Sequence, residues 1–288
     1  MNKKSLLLLP FVLLLLSMKP DKPAYKLFRA NGKEVKYKKL LKDAQEADIV
    51  FFGEYHNNPI CHWLQLELTQ DLFEAKQTNL VLGAEMIEAN DQAVLNQYLK
   101  DEMDRKTFED TAGLWKNYKT DYKPLVEFAK ANGLNFIASN IPRKYASLVN
   151  KKGFEALDEL PSGEKAFIAP LPIAYDPELP GYKNMIKMMK DMPHVTPNIA
   201  KAQAIKDATM AHFILESWEL GKTFLHYNGS YHSNNYEGII WYLKQAKSDL
   251  KIVSIAAAEQ ESLKKLAEEN KNLANFIVLT PTTMTKTY

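Results

Sequence analysis

Short apolar runs separated by helix-length amphipathic stretches constrain this chain more than any other feature. Runs at 49–52, 79–84, 135–139, 223–227, 251–256 and 276–279 are dominated by Ile, Val, Leu, Phe and Ala. A strand without polar alternation is buried on both faces, the pattern of a parallel sheet covered by helices. Between them, 62–76, 91–100, 122–131, 198–220, 236–246 and 259–270 read as helices, with Asn132-Gly133 as a helix C-cap. The alternation predicts an α/β fold: a mainly parallel sheet flanked by helices. Ahead of it, Asn31-Gly32 joins 25–30 to 33–37 as a hairpin, and 39–44 is a short helix.

One stretch breaks the rhythm. Over about 154–197 prolines recur, at Pro170, Pro172, Pro177, Pro180, Pro193 and Pro197. They bracket a short amphipathic helix at 181–192 that carries Met185, Met188, Met189, Met192, Lys183, Lys187 and Lys190. Proline brackets predict a helical insertion or lid rather than a sheet element. Its Met face is either a plain core face or a wall for a flat apolar ligand.

The 288 residues contain no low-complexity linker, so 24–288 reads as one domain. A net charge of +2 with interspersed signs gives no nucleic-acid footprint, and no nucleic-acid partner is expected. Lys3-Lys4 ahead of the apolar stretch Ser5 to Met18 predicts a signal peptide or N-terminal anchor over 1–19. The expected location is therefore extracytoplasmic, periplasm or cell surface, with membrane association if the segment is retained. The single cysteine, Cys61, excludes an intrachain disulfide and reads as a packed thiol sooner than a nucleophile.

Two of the apolar runs end in the same turn. Gly53-Glu54-Tyr55-His56 follows 49–52 and Gly229-Ser230-Tyr231-His232 follows 223–227, each with Asn-rich residues behind it. A third run ends on Gly83-Ala84-Glu85. Ligands of open parallel sheets bind at the carboxyl ends of strands, so the three endings are expected to converge. Glycine at the head of the first turn, Gly53, is read as conformational freedom on leaving the strand. Glu54, His56, Glu85 and His232 are the candidate catalytic residues, and the same four are candidate ligands for a divalent metal. His62 and His194 are weaker candidates, while His212 and His226 read as structural. No phosphate-binding glycine loop, His-Glu-x-x-His helix or Gly-x-Ser-x-Gly elbow occurs.

The motifs also resemble a known family. Gly53-Glu54-Tyr55-His56-Asn57-Asn58-Pro59, Gly83-Ala84-Glu85-Met86, Asn140-Ile141-Pro142-Arg143, Lys206-Asp207-Ala208-Thr209-Met210-Ala211 and Gly229-Ser230-Tyr231-His232 with Glu237-Gly238-Ile239 are similar to those of the ChaN-like haem-binding proteins, within the superfamily of erythromycin esterases, TIKI and TraB proteins. Trp115 and Tyr122-x-Pro124 match as well. The resemblance implies an exported haem-binding protein in haem or iron uptake. It further implies a homodimer, with tyrosine on the iron and His and Lys on the propionates. The lipobox cysteine usual in that family is absent. Tyr55, Tyr175, Tyr182 and Tyr231 are the candidate iron ligands, and Lys183, Lys187 and Arg143 are expected to neutralise propionates. The wider superfamily implies an alternative, an esterase or peptidase that uses a metal or a His/Glu pair.

Overall fold

The computed structural model describes residues 22–189, 192 and 196–288. The expected leader over 1–19, Lys190 and His194 lie outside the described residues. The chain begins with a hairpin, β1 (Lys26–Arg29) and β2 (Glu34–Val35), and α1 (Tyr37–Gln45). Then follow β3 (Ile49–Glu54), α2 (Pro59–Lys76), β4 (Leu80–Glu88), α3 (Gln92–Leu99), α4 (Arg105–Thr111), α5 (Lys123–Ala131), β5 (Phe136–Asn140) and α6 (Arg143–Lys152). The rest comprises α7 (Pro180–Met189), α8 (Ile199–Ser217), β6 (Thr223–Gly229), α9 (Ile239–Ala246), β7 (Ile252–Gln260) and β8 (Phe276–Pro281).

Among the described residues eight strands form one sheet, in the order β2-β1-β8-β7-β3-β6-β4-β5. Six of them, β3 to β8, run parallel, and the hairpin adds antiparallel to the β8 edge. Alternate residues of β3 enter different cores. Val50 and Phe52 pack with Leu64, Leu68 and Leu72 of α2 and with Leu125 and Val126 of α5. Ile49 and Phe51 pack with Met210 and Ile214 of α8 and Ile239 and Leu243 of α9. Each apolar run is therefore buried twice, once per face. No helix among the described residues is long and apolar enough to cross a membrane.

Several boundaries differ from expectation for identifiable reasons. The stretch 259–270 is not a helix. β7 continues to Gln260, pairing with β8 as far as Pro281, and only Glu268–Asn270 forms a single 3₁₀ turn. The Gln260 amide ties this loop together: it donates to the carbonyls of Ser262 and Lys265 and accepts from the Ala267 N–H. Leu263 and Leu266, which mimic a helical stripe in sequence, instead pack beside Phe28 and Ile277. Two helices had no clear sequence signal. In α4 only Phe108 is buried and Asp104 caps the N-terminus, accepting from Lys106 and Thr107. In α6 the apolar face is Tyr145, Ala146 and Val149, between Arg/Lys-rich ends.

The Pro-rich segment does lie over the carboxyl end of the sheet. Only Tyr182 of α7 is buried, and Met188 is 71% exposed, so its Met face is not a core face.

Candidate functional site

The β3 end is built by a helix cap. Asn58 accepts from the N–H groups of Ile60 and Cys61, both at 3.1 Å, and donates to Thr280 Oγ1 at 2.9 Å. Pro59 occupies the first turn of α2, where its missing N–H costs nothing. The cap fixes the preceding residues, among them His56. Val50, Phe52 and Glu54 share one side of β3, so Glu54 points toward the α2/α5 layer. There its carboxylate, 1% exposed, meets four groups. His56 Nδ1 lies 2.8 Å from Oε1, and Tyr122 donates to that oxygen at 2.7 Å. Gln65 donates to Oε2 at 2.5 Å, with His62 Nδ1 3.4 Å away.

Tyr122 reaches Glu54 from a π turn at Tyr118–Tyr122, which also buries Asp121 beside His62 Nε2 at 3.5 Å. Trp115 packs edge-on against His56, with centroids 4.9 Å apart. A C-terminal segment closes this side: Thr287 donates from its N–H to the Asn57 carbonyl and from its hydroxyl to Asp121. Burial pushes the Glu54 carboxyl up, but hydrogen bonds from His56 and His62 outweigh it and hold it at about 2. Burial also depresses His56, yet the Glu54 bond and the Glu85 charge raise it above its ordinary value.

The β6 end is assembled from the opposite face. In β4, Val81 enters the α8/α9 core while Leu82 enters the other, so Glu85 points toward α8. Glu85 accepts the Gly229 N–H at 2.7 Å and faces His232 Nε2 at 3.2 Å. His232 Nδ1 meets Asp207 Oδ1 at 2.5 Å, and Tyr182 of α7 donates to Asp207 Oδ2 at 2.9 Å. Burial alone depresses His232, but the two flanking carboxylates overcome it and push it up to about 10. Burial raises Glu85 and the charge of His232 outweighs it, so its carboxyl is held well below the usual range. Burial pushes the Asp207 carboxyl up as well, so the His232–Asp207 pair holds its proton firmly, which suits it to donate a proton or stabilise negative charge rather than to act as a base.

The halves meet at Gly229. A Cβ there would lie 2.8 Å from His56 Nε2. Gly53 is likewise a matter of space, because a Cβ would lie 2.9 Å from the Ile255 carbonyl and 3.0 Å from Ser230 Cα. Space, and not the conformational freedom expected of Gly53, is therefore what both positions require. Gly238 is different: its φ is +56°, and it sits under the His232 carbonyl.

A cleft of about 350 Å³ opens between the halves, lined by His56, Glu85, His232, Trp115, Arg143 and Lys206 among others. Its volume is at the small end of ligand-binding clefts. Glu54 lies beneath His56 rather than in the lining. Tyr231, 43% exposed, lines both this cleft and an adjoining groove of about 510 Å³ beside α7.

The remaining candidates lie elsewhere. Tyr182 is buried with its hydroxyl spent on Asp207, and Tyr175 stacks against its ring. Burial pushes the Tyr182 hydroxyl far up, the opposite of what tyrosinate ligation needs. Lys183 pairs with Glu178 at 2.5 Å on the surface, and Lys187 lines the outer groove. Tyr55 is 38% exposed outside the cleft lining. His226 is buried, bonded to Ser139 and Asn228, and burial pushes it down to about 4. Cys61 is fully buried, and burial pushes its thiol up.

The set His56, His232, Glu54 and Glu85 does not form a metal cluster. Among the described residues no three His, Cys, Asp or Glu side chains are grouped to hold an ion. The imidazoles and carboxylates are instead spent on one another. Sequence reasoning misses Asp207, Tyr122 and Gln203, whose side-chain amide lies 2.9 Å from His232 Nδ1 in the cleft lining. Asp207 and Tyr122 sit in the Lys206–Ala211 and Tyr122-x-Pro124 motifs, which was the available signal.

A parallel α/β sheet with carboxylate–imidazole pairs gathered at its strand ends defines a class of site, and comparison gives the class a family. The profile described as "Haem-binding uptake, Tiki superfamily, ChaN" matches residues 40–243, and the chain belongs to that family. The fold is similar to that of ChaN of Campylobacter jejuni, solved as a case of cofacial haem binding, with a TM-score of 0.67 and 16% identity over 89% of this chain and 96% of that one. RRSP, a MARTX toxin effector domain from Vibrio vulnificus, matches at a TM-score of 0.48 and 14% identity, over 85% of this chain and 37% of that one. Protein RETICULATA-RELATED 5, chloroplastic, from Arabidopsis thaliana is 27% identical over 205 residues, 65% of this chain. The chain spans about a quarter of that protein's length, 27%.

Proposed function

We propose that this protein binds haem across the mouth of the cleft, serving haem or iron uptake. Family membership over residues 40–243 carries the reading. The residues at the mouth fit the group. Tyr231 is a half-exposed phenol at the rim; its hydroxyl donates to the Gly181 carbonyl at 3.0 Å and is pushed up by burial, so it would have to leave that bond and give up its proton to meet iron. Met188 offers an exposed apolar surface beside it, and Arg143 and Lys206 place cations within reach of carboxylates. A 350 Å³ cleft is too small to enclose a porphyrin, so the residues at its mouth are the ones that would hold the group. Bound haem would supply the iron, with tyrosinate a chemically reasonable ligand. Of the four tyrosines, Tyr231 alone lines the cleft.

A cofacial arrangement, described for the Campylobacter protein, calls for two such faces. A haem-linked homodimer is therefore part of the proposal. So is an extracytoplasmic location, supported by Lys3-Lys4 and the apolar segment behind them. Mixing purified protein with hemin is expected to give a saturable Soret band, altered in Tyr231→Phe, with a shift to dimer on size exclusion. A spectrum identical to free hemin overturns the reading.

A second reading, hydrolysis, is favoured by one specific observation. Two imidazoles, each held by a buried carboxylate, face a single cleft from opposite sides of the sheet. A clamped imidazole and a more accessible one, both raised above the ordinary value by their carboxylates, are placed to hold and pass protons at the cleft. A screen of ester and amide substrates with His56→Ala and His232→Ala tests it. Turnover absent from wild type, or unchanged in both variants, removes it.

A further inference from the structure

Charge is unevenly shared along this chain. Residues 22–42 hold eight Lys and Arg against one acid, Glu34, a net +7, whereas 43–288 hold 26 against 33, a net −7. The basic stretch folds as the β1–β2 hairpin, at one edge of the sheet, followed by α1. Such segregation gives the molecule one positive region that draws an anionic partner and a remainder that repels it.

The cations of this region divide into two sets. Lys26 pairs with Glu34 across the hairpin, and Arg29 and Lys39 share Asp43, all within 2.7 Å. Lys22, Lys33, Lys36, Lys38 and Lys42 are exposed and enter no ion pair among the described residues. Lys38 and Lys42 stand one turn apart on α1, opposite the buried Leu40 and Ala44. The acids around them are few. Glu46 caps the far end of α1, Glu67 of α2 accepts the Trp63 indole N–H at 3.2 Å, and Asp71 lies beside the Tyr37 hydroxyl.

An aromatic pair adjoins these lysines. Trp63 of α2 is 47% exposed and packs edge-on against Tyr25, with centroids 5.9 Å apart. Tyr25 in turn lines a groove of about 990 Å³ with Lys22, Lys26, Val35 and Tyr37. Trp and Tyr among lysines are what a membrane interface favours, rings at headgroup level and ammonium groups on phosphates. The apolar stretch Ser5 to Met18 ends four residues before Lys22. Four residues span at most about 14 Å, so a bilayer that holds that stretch keeps Lys22 within that reach.

We propose that the hairpin and α1 form a docking face for an anionic phospholipid surface, with the five exposed lysines on headgroup phosphates and Trp63 and Tyr25 in the interfacial layer. The face adds to whatever the apolar stretch contributes, and it requires neither haem nor hydrolysis.

Cosedimentation of the purified full chain with two kinds of vesicle tests it, at about 0.1 M salt. One is phosphatidylcholine alone, and the other has phosphatidylglycerol as about a third of its lipid. The apolar stretch meets both alike, so the ratio of affinities isolates the contribution of charge. Wild type is expected to prefer the anionic vesicles by about ten-fold or more. The triple variant Lys36→Gln, Lys38→Gln, Lys42→Gln, all at exposed positions, is expected to cut the preference to about three-fold or less. A matching variant of exposed cations on α6, Lys144→Gln, Lys151→Gln, Lys152→Gln, is expected to keep it. Tryptophan emission should move to the blue on the anionic vesicles, and Trp63→Phe should lose that shift. Equal binding to both vesicles, a preference untouched by the α1 variant, or one cut equally by the α6 variant overturns the proposal. Capture by heparin without any vesicle preference assigns the face to a soluble polyanion and also overturns it.

Discussion

The two Gly-x-x-His turns look alike in sequence and are built in different ways. His56 hangs at the edge of the α2/α5 layer, its ring partly open, with Glu54, Tyr122, His62 and Gln65 arranged beneath it. His232 is 5% exposed and clamped on both nitrogens by Asp207 and Glu85. A similar motif therefore delivers one adjustable imidazole and one fixed cation. The second half is also tied to the overlying segment, because the Tyr182 hydroxyl of α7 reaches Asp207, while the Glu237 carboxylate takes the Gly181 N–H at 2.6 Å.

The difference can be broken most forcefully at Asp207. Asp207→Ala leaves His232 with one carboxylate in a buried site, and losing one partner of a buried ion pair costs about 3–5 kcal/mol. Urea unfolding should show this loss, whereas His56→Ala, at a partly open position, should cost far less. Equal losses would erase the distinction between the clamped and the adjustable half.

Next in size is Gly229→Ala. The added methyl displaces the His56 ring, and overpacking of this kind costs about 1–3 kcal/mol. Imidazole resonances of His56 in NMR spectra should move while those of His232 hold. Tyr122→Phe is expected to be of comparable size in the same urea unfolding measurement. It removes one hydrogen bond to a charged acceptor that keeps other donors, a loss of about 1.5–3 kcal/mol at most.

The gentlest test is pH. His232 is raised from 6.5 to about 10 in the folded protein, so its contribution is complete below pH 6.5 and is lost as pH rises through 10. Glu54 is depressed from 4.5 to about 2, so its contribution is present above pH 4.5 and is lost as pH falls toward 2. A His232→Gln variant should flatten the alkaline limb of a stability–pH profile and leave the Glu54 contribution to the acid limb in place.

Much of this arrangement was legible beforehand because burial leaves a mark on composition. The parallel strands announce themselves through runs such as Ile49-Val50-Phe51-Phe52, and their carboxyl ends locate the site. The helix expected at 259–270 failed because Leu263 and Leu266 have helical spacing while Gln260, a single polar side chain, holds the loop. Asp207 was hidden for a related reason. An acid in the middle of a long helix looks like surface charge until the strand end it faces is known. The face on which Glu54 and Glu85 each emerge follows from strand parity, but only once the paired cores identify which side is which.

The bare backbone at Gly229 has a historical consequence. Because the ring of His56 occupies the space where a side chain would stand, residues 56 and 229, far apart along the chain, share one allotment of volume. A lineage that enlarges position 229 must first surrender or relocate the imidazole. Loss of chemistry at one turn should therefore be written as a gain of bulk at the other, a paired signature by which descendants that keep the fold for another purpose can be told from those that keep the site.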